Sequence, residues 1–176
     1  MVEQNPLERQ PSNTDGTRAP NFQVVFARMP ITTYFCQSAV IPGLTLGVAD
    51  FPTPFVNIPE PGEILVFESF NATFEVTEDL ANWKEISDWM FGLGFPKEFG
   101  QFRTLDDSDF KLKSDFTLQI LTNALNPCKE IRFYDGFPVS LGSVEYNTTS
   151  ADSGEIVTST FEMRYSHYEF KERGEI

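Results

Sequence analysis

From residue 21 onward the chain alternates apolar and polar positions in short runs. Phe22, Val24 and Phe26 alternate with Gln23, Val25 and Ala27, a period of two that predicts a strand. "TTYFCQSAV", from about 32 to 40, predicts a second. The next stretch, "IPGLTLGVADFPTPFVNIPEPG" over 41–62, is apolar but holds Pro42, Pro52, Pro54, Pro59 and Pro61. Proline has no N–H to give a ladder and is confined to sheet edges. A long loop is therefore expected there, with one short edge strand near 55–58. Alternation returns in "EILVFESFNATFEVT", where Phe70, Ala72, Phe74 and Val76 alternate with Asn71, Thr73 and Glu75.

The period then changes. In "TEDLANWKEISDWMFGLG", Leu80, Trp83, Ile86 and Met90 fall at helical spacing and predict a helix over about 77–91. Thr77 is its expected N-cap, Glu78 and Asp79 complement the dipole, and Gly92 or Gly94 is the expected stop. The stripe Leu80, Trp83 and Ile86 is expected to pack the helix onto the rest of the fold. Residues 95–115 show no sustained period and read as a long excursion. "FTLQILT" and "CKEIRFYD" predict two strands joined by a turn around "NALNP". "GEIVTSTFEMRYSHYEF" predicts one long closing strand, with Phe161, Met163 and Tyr165 on one face and Glu162 and Arg164 on the other. About seven strands and one helix without βαβ alternation imply an α+β, mostly β domain. The expected form is an antiparallel sandwich or barrel with one flanking helix. Residues 1–20, polar and broken by three prolines, read as a flexible arm, and 21–176 as a single domain.

Composition narrows the possible functions. With 176 residues, such a domain buries roughly 70% of its unfolded surface. Eighteen phenylalanines supply aromatics for a core or for a subunit interface. The net charge of −13 disfavours binding of nucleic acid phosphates or an anionic membrane surface. No signal peptide opens the chain and no stretch has the length of a membrane span. A reducing cytoplasm is the expected place of synthesis, with Cys36 and Cys128 as free thiols.

A search for chemistry returns little. His167 is the one histidine, so there is no histidine cluster for zinc and no obvious Ser-His arrangement, and it reads as a surface or strand-face residue. Neither cysteine has a CxxC partner, and Cys36 reads as a small core residue. Asp106, Asp107 and Asp109 cluster on the excursion, but they lack the glycine and terminal glutamate of an EF-hand loop and read as a solvated charge run. Trp83 and Trp89 on the helix read as core or interface. The expectation is no enzyme, no cofactor and no metal.

Three segments in order carry a resemblance: "NFQVVFA" with "YFCQSAVIPG"; "FESFNATFEVTEDLANWKEISDW"; and "KEIRFYDGFPVSLGSVEYNTTSADSGEIVTSTFEMRYSHYE". Their order and spacing over about 22–170 resemble the tail tube proteins of contractile-tailed, T-even-like phages. The resemblance implies the tail tube fold and a structural virion protein, made in the host cytoplasm and carried in the tail. It implies hexameric rings stacked into a tube, contacts with sheath and baseplate proteins, and DNA passing through the lumen without specific binding. It makes "DGFPVSLG" a corner, in which Gly136 permits unusual dihedrals and Pro138 ends pairing.

By the same resemblance the loop 41–62 lies against a neighbouring subunit or the next ring, with Leu44, Leu46, Phe51 and Phe55 as interface candidates. Glu75, Glu130, Glu145 and Glu162 occupy polar positions beside apolar neighbours and are the candidates for the lumen. The arm and the segment 92–115 look longer than in a typical tube subunit. This leaves open a specialised ring, either a baseplate tube initiator or a tail terminator, and a type VI secretion-like tube protein. A reading from a different class is a monomeric small-molecule-binding β-barrel.

Overall fold

The computed structural model describes residues 16–94, 96–97, 100, 102, 112–146 and 156–172. Asp106, Asp107 and Asp109, most of the excursion and most of the N-terminal arm lie outside them. The described residues form nine strands and two helices. They are β1 (Phe22–Phe26), α1 (Pro30–Phe35), β2 (Cys36–Ala39), β3 (Leu44–Pro52), β4 (Asn57–Phe67), β5 (Phe70–Glu75), α2 (Ala81–Gly94), β6 (Ser114–Leu121), β7 (Pro127–Leu141), β8 (Thr158–Arg164) and β9 (His167–Glu172).

All strand pairs are antiparallel, and β7 belongs to two sheets at once. Its first part lies between β6 and β9, with β1 beyond β6; its last part joins β8, followed by β5 and β2. The shared strand folds the two sheets over one core. Val24, Phe26, Phe70, Phe74, Phe116, Phe133 and Phe161 are buried there. Phe116 and Phe133 stack at 4.5 Å and 3°, and Phe26 meets Phe161 edge-on at 5.5 Å. Offset and edge-on ring pairs add to area burial, so these phenylalanines serve as core, while Phe51, Phe55, Phe91 and Phe170 are exposed.

The corner exists, but its parts work differently from expectation. The strand runs without a break through "DGFPVSL". The left-handed residue is Asp135, at φ 57°, not Gly136. Glycine is needed at 136 for space: a Cβ there would meet Phe116 Cε1 at 2.6 Å and Ser114 O at 3.0 Å. Pro138 does not end pairing. It lies opposite Met163 at a register shift before Ser140, so the chain bends by a bulge as it passes from one sheet to the other.

Five further expectations change. The stretch 32–40 is not one strand, because α1 takes its first half. Pro30 opens that helix, and buried Thr32 donates its Oγ1 and N to the Glu85 carboxylate on α2 at 3.1 and 3.3 Å. The closing segment is two strands, β8 and β9, separated by a turn whose Ser166 N donates to Tyr134 O. Helix α2 starts at Ala81, not near 77, because Thr77 and Asp79 form a turn that caps it. Their side-chain oxygens both accept from Ala81 N at 3.1 Å, and Leu80 sits at φ 56°. Asn82 is buried inside that turn. Its Oδ1 accepts from Thr77 N and Oγ1 at 3.2 Å, and its Nδ2 donates to Glu75 O.

The buried face of α2 is accordingly Asn82, Ile86, Ser87 and Trp89, rather than the Leu80–Trp83–Ile86 stripe. Trp83 is half-buried and its Nε1 donates to Gly142 O at 3.1 Å. The loop 41–62 is also no loop. It supplies β3 and the first part of β4, a two-stranded ribbon that makes a separate sheet.

Candidate assembly surfaces

The β3–β4 hairpin is the most exposed part of the described chain. Leu44 is 50% exposed, Leu46 48%, Phe51 64% and Phe55 97%, so all four expected interface residues are brought together on one arm. Val48, Val56, Ile58, Ile64, Leu65 and Val66 are exposed on it too. Sequence reasoning did not name these six: Val48, Val56 and Ile58 lie in the stretch expected to be a proline-broken loop, and Ile64, Leu65 and Val66 in the run read as an ordinary strand. The signal was present in the alternation of β-branched and aromatic residues flanking "PTP". Prolines are compatible with a ribbon of two edge strands, since each strand has only one partner and half its N–H groups point away from it. The strands cross closely where the register shifts. A Cβ at Gly62 would meet Gly47 O at 2.6 Å.

The arm is fastened at its root. Glu68 N donates to Gly43 O at 3.1 Å. The Phe67 ring lies 6.1 Å from that of Tyr165 and 5.5 Å from that of Tyr168, and the Tyr165 hydroxyl donates to Glu68 O at 2.7 Å. Burial, with the Tyr168 hydroxyl second, pushes the Tyr165 phenol up to about 12. It therefore stays a neutral donor at any physiological pH. Ten apolar residues exposed beyond a fixed root form a surface of the kind that marks protein association.

The four lumen candidates separate. Glu75 and Glu162 lie on the outer face of the β7–β8–β5–β2 sheet. Glu162 stands opposite Asn71 on one side and Ser140 on the other, and Glu75 accepts from Gln37 Nε2 at 3.2 Å. Asn71, Thr73, Thr158 and Thr160 alternate with them, leaving a hydroxyl- and amide-rich face whose cation is Arg164. Glu130 lies on the outer face of the other sheet, opposite Lys171 and Gln119. That face balances its charges: Arg132 stands opposite Glu169 and bridges Asp115 at 3.2 Å. Glu145 is not on a strand. It lies in the coil after β7, so the expectation of a sheet position fails there.

The remaining candidates bear on reactivity. Cys36 is a half-buried free thiol, and burial pushes it up to about 11, so it stays protonated at neutral pH. His167 stacks on Tyr134 at 4.8 Å and stands 3.9 Å from Glu169. Among the described residues, no three His, Cys, Asp or Glu side chains converge to hold a metal.

The fold is shared with chains in solved structures of contractile injection systems. The chain superposes on a chain of the anti-feeding prophage baseplate, 6-fold symmetrised, with a TM-score of 0.58 at 16% identity, covering 94% of this chain and 99% of that one. With the anti-feeding prophage tube terminating cap the TM-score is 0.57 at 11% identity, over 96% and 99% of the two chains. With a chain of the PVC sheath/tube terminator in its extended state it is 0.56 at 14% identity, over 89% and 97%. By sequence, the chain is similar to the tail tube terminator protein of Enterobacteria phage T4, 27% identical over 164 residues and 89% of each chain. No protein-family model matches the chain.

Proposed function

We propose that this chain is a structural protein of a contractile tail that ends the tail tube as a terminator ring, with no catalytic role. The observation that carries the reading is the 27% identity to a tail tube terminator across 89% of both chains. This favours a specialised ring over the repeated tube subunit, the reading that the sequence resemblance put first. The exposed hairpin agrees with it, because a monomer has no use for ten uncovered apolar side chains. A monomeric small-molecule binder is disfavoured on the same ground.

In this reading six copies of the domain 21–176 close a ring around a channel for DNA, with residues 1–20 as an arm. Tube and sheath components, and more distantly the baseplate, are its neighbours in the virion tail. The outer face of the β7–β8–β5–β2 sheet lines the channel. That face holds Glu75 and Glu162 against the single described cation Arg164, a net negative charge, and carboxylates repel phosphate and keep DNA from sticking. The test is to purify contractile-tailed particles carrying a tagged chain and locate the tag by electron microscopy. Label confined to the head-proximal end of the tube is expected. Label along the whole tube would make it the repeated subunit, and a strictly monomeric chain absent from particles would overturn the reading.

A further inference from the structure

Two open strand edges in this molecule have backbone groups whose direction can be derived. In an antiparallel pair, hydrogen-bonded and non-hydrogen-bonded residue pairs alternate, and residues of the second kind turn N–H and C=O away from the partner strand. At the root of the hairpin Glu68 N donates to Gly43 O, and at its tip Thr53 N donates to Val56 O at 3.3 Å. Counted inward from both ends, Thr45–Val66, Ala49–Glu60 and Phe51–Ile58 are the bonded pairs. Leu44, Leu46, Val48 and Asp50 on β3 therefore point their backbone groups outward, and on β4 so do Pro59 and Pro61. Proline has no N–H, so β4 is blunted as an edge over that stretch while β3 keeps a donor at four alternate positions.

The second edge is β1. Leu121 N donates to Asn21 O at 2.9 Å, so Phe22, Val24 and Phe26 turn their backbone groups away from β6. Thr33 Oγ1 accepts from Phe26 N at 3.0 Å, which closes that end of the edge. No described strand pairs with the edge at Phe22 and Val24. Beside them a recess of about 330 Å³ opens between β1, α1 and β2, lined by Phe22, Val24, Pro30, Thr33, Tyr34 and Cys36. Its walls carry no charged side chain.

We propose that β3 of a second copy of this chain adds to the β1 edge, bonding the backbone at Phe22 and Val24 while Leu44, Leu46 or Val48 fills the recess. This rests on the ring reading above and names the contact that builds the ring. A second copy is the occupant because one chain carries both halves of the match. Such a heterologous contact, repeated, closes into a ring when its rotation allows. Copies of net charge −13 repel one another, so their contact is best placed where both sides are uncharged. Over Leu44–Val48 and the recess, both are. Main-chain bonds then give the affinity and side-chain fit the register, as in other strand additions.

Two variants of the full-length chain test this. Val48→Pro removes one outward N–H and none of the bonds within the hairpin. It should raise the concentration needed for ring formation, read by analytical ultracentrifugation, by about tenfold or more. Pro61→Ala, on the other edge, should leave it unchanged. In a Cys128→Ser background, Leu46→Cys should form a disulfide with Cys36 of a second copy under mild oxidation, giving a ladder on a non-reducing gel that Cys36→Ser abolishes. Unchanged assembly of Val48→Pro together with no Cys36-dependent ladder would overturn the proposal. Deleting 44–56 separates the two levels. If that deletion abolishes rings while the other tests come out unchanged, the arm assembles the ring by a different contact. A wild-type chain monomeric at every concentration sinks the ring reading and this contact with it.

Discussion

The body and the arm are built from the same residue types and use them in opposite ways. In the body, β5 buries Phe70, Ala72 and Phe74 and exposes Asn71 between them. In the arm, β3 and β4 expose apolar residues such as Leu46, Phe51, Ile64 and Val66 on a ribbon that no second layer covers. Burial of apolar area stabilises a fold by about 25 cal/mol per Å², and the body has collected that stabilisation already. The arm has not, and can collect it only against another molecule. Stability should therefore depend on the body and assembly on the arm, and substitutions can break or sharpen that division.

The largest loss of stability is expected at the centre of the body. Phe133 is fully buried and stacked on Phe116, so Phe133→Ala should cost about 3–5 kcal/mol. Trp89→Ala should cost a similar amount, since Trp89 is 2% exposed and its Nε1 donates to Leu112 O at 3.2 Å. Half-buried Trp83 should cost less, about 1–3 kcal/mol. Chemical denaturation reads all three. A Trp83 variant less stable than the Trp89 variant would reverse the assignment of the helix face.

The two tryptophans, both read as core or interface, differ in burial, and that difference shows how much the sequence disclosed. The period of α2 was legible; of the two glycines expected as its stop, Gly92 lies inside the helix and Gly94 is its last residue. Its phase was not, because buried Asn82 is polar and the Thr77–Asp79 turn starts the helix later. Strands β1, β5 and β6 were plain, since half-buried strands alternate cleanly. Helix α1 was hidden, because "TTYF" is β-prone and its helix depends on the contact of Thr32 with Glu85 fifty-three residues away. The ribbon was hidden for a different reason. Proline forbids a central strand, and nothing local tells a central strand from a free edge. The four apolar residues named as interface candidates came from the cost of exposing them together with the resemblance, and the structure shows their exposure. Glu145 was misplaced because the end of β7 depends on pairing with β8.

At the root of the arm the expected effect is smaller. Tyr165→Phe removes the hydroxyl that donates to Glu68 O and keeps the ring against Phe67. Stability should fall by about 1 kcal/mol, the net worth of one hydrogen bond. If the arm's direction matters for assembly, ring formation should suffer more than stability does. Equal losses in both would mean that the root only supports the body. Further out, Phe55→Ser should shift stability by less than about 0.5 kcal/mol, because Phe55 is 97% exposed, and should weaken assembly clearly. A thermal melt and a sedimentation profile on the same sample decide it.

The smallest effect on stability, and the most selective on function, is expected at the acidic faces. Charge reversal of an exposed strand position changes stability by about 0.5 kcal/mol or less, so Lys at 75, 130 or 162 should still fold and build particles. The differences should appear when DNA moves. Glu162 stands opposite Asn71 and Ser140, with no cation across either strand, so its field reaches the channel if its sheet lines it. Glu130 faces Lys171 across its strand pair and belongs to the balanced sheet. Six copies of Glu162→Lys would ring the DNA with positive charge, attract phosphate and slow ejection. Screening acts beyond roughly 8–10 Å at cellular ionic strength, so the slowing should grow as salt is lowered. Glu75→Lys should act in the same direction, though it also loses the bond from Gln37. Glu130→Lys should change ejection little. Slow, salt-dependent ejection for Glu130→Lys and normal ejection for Glu162→Lys would place the other sheet on the channel. Normal ejection at low salt for all three would leave the acidity as a means of solubility alone.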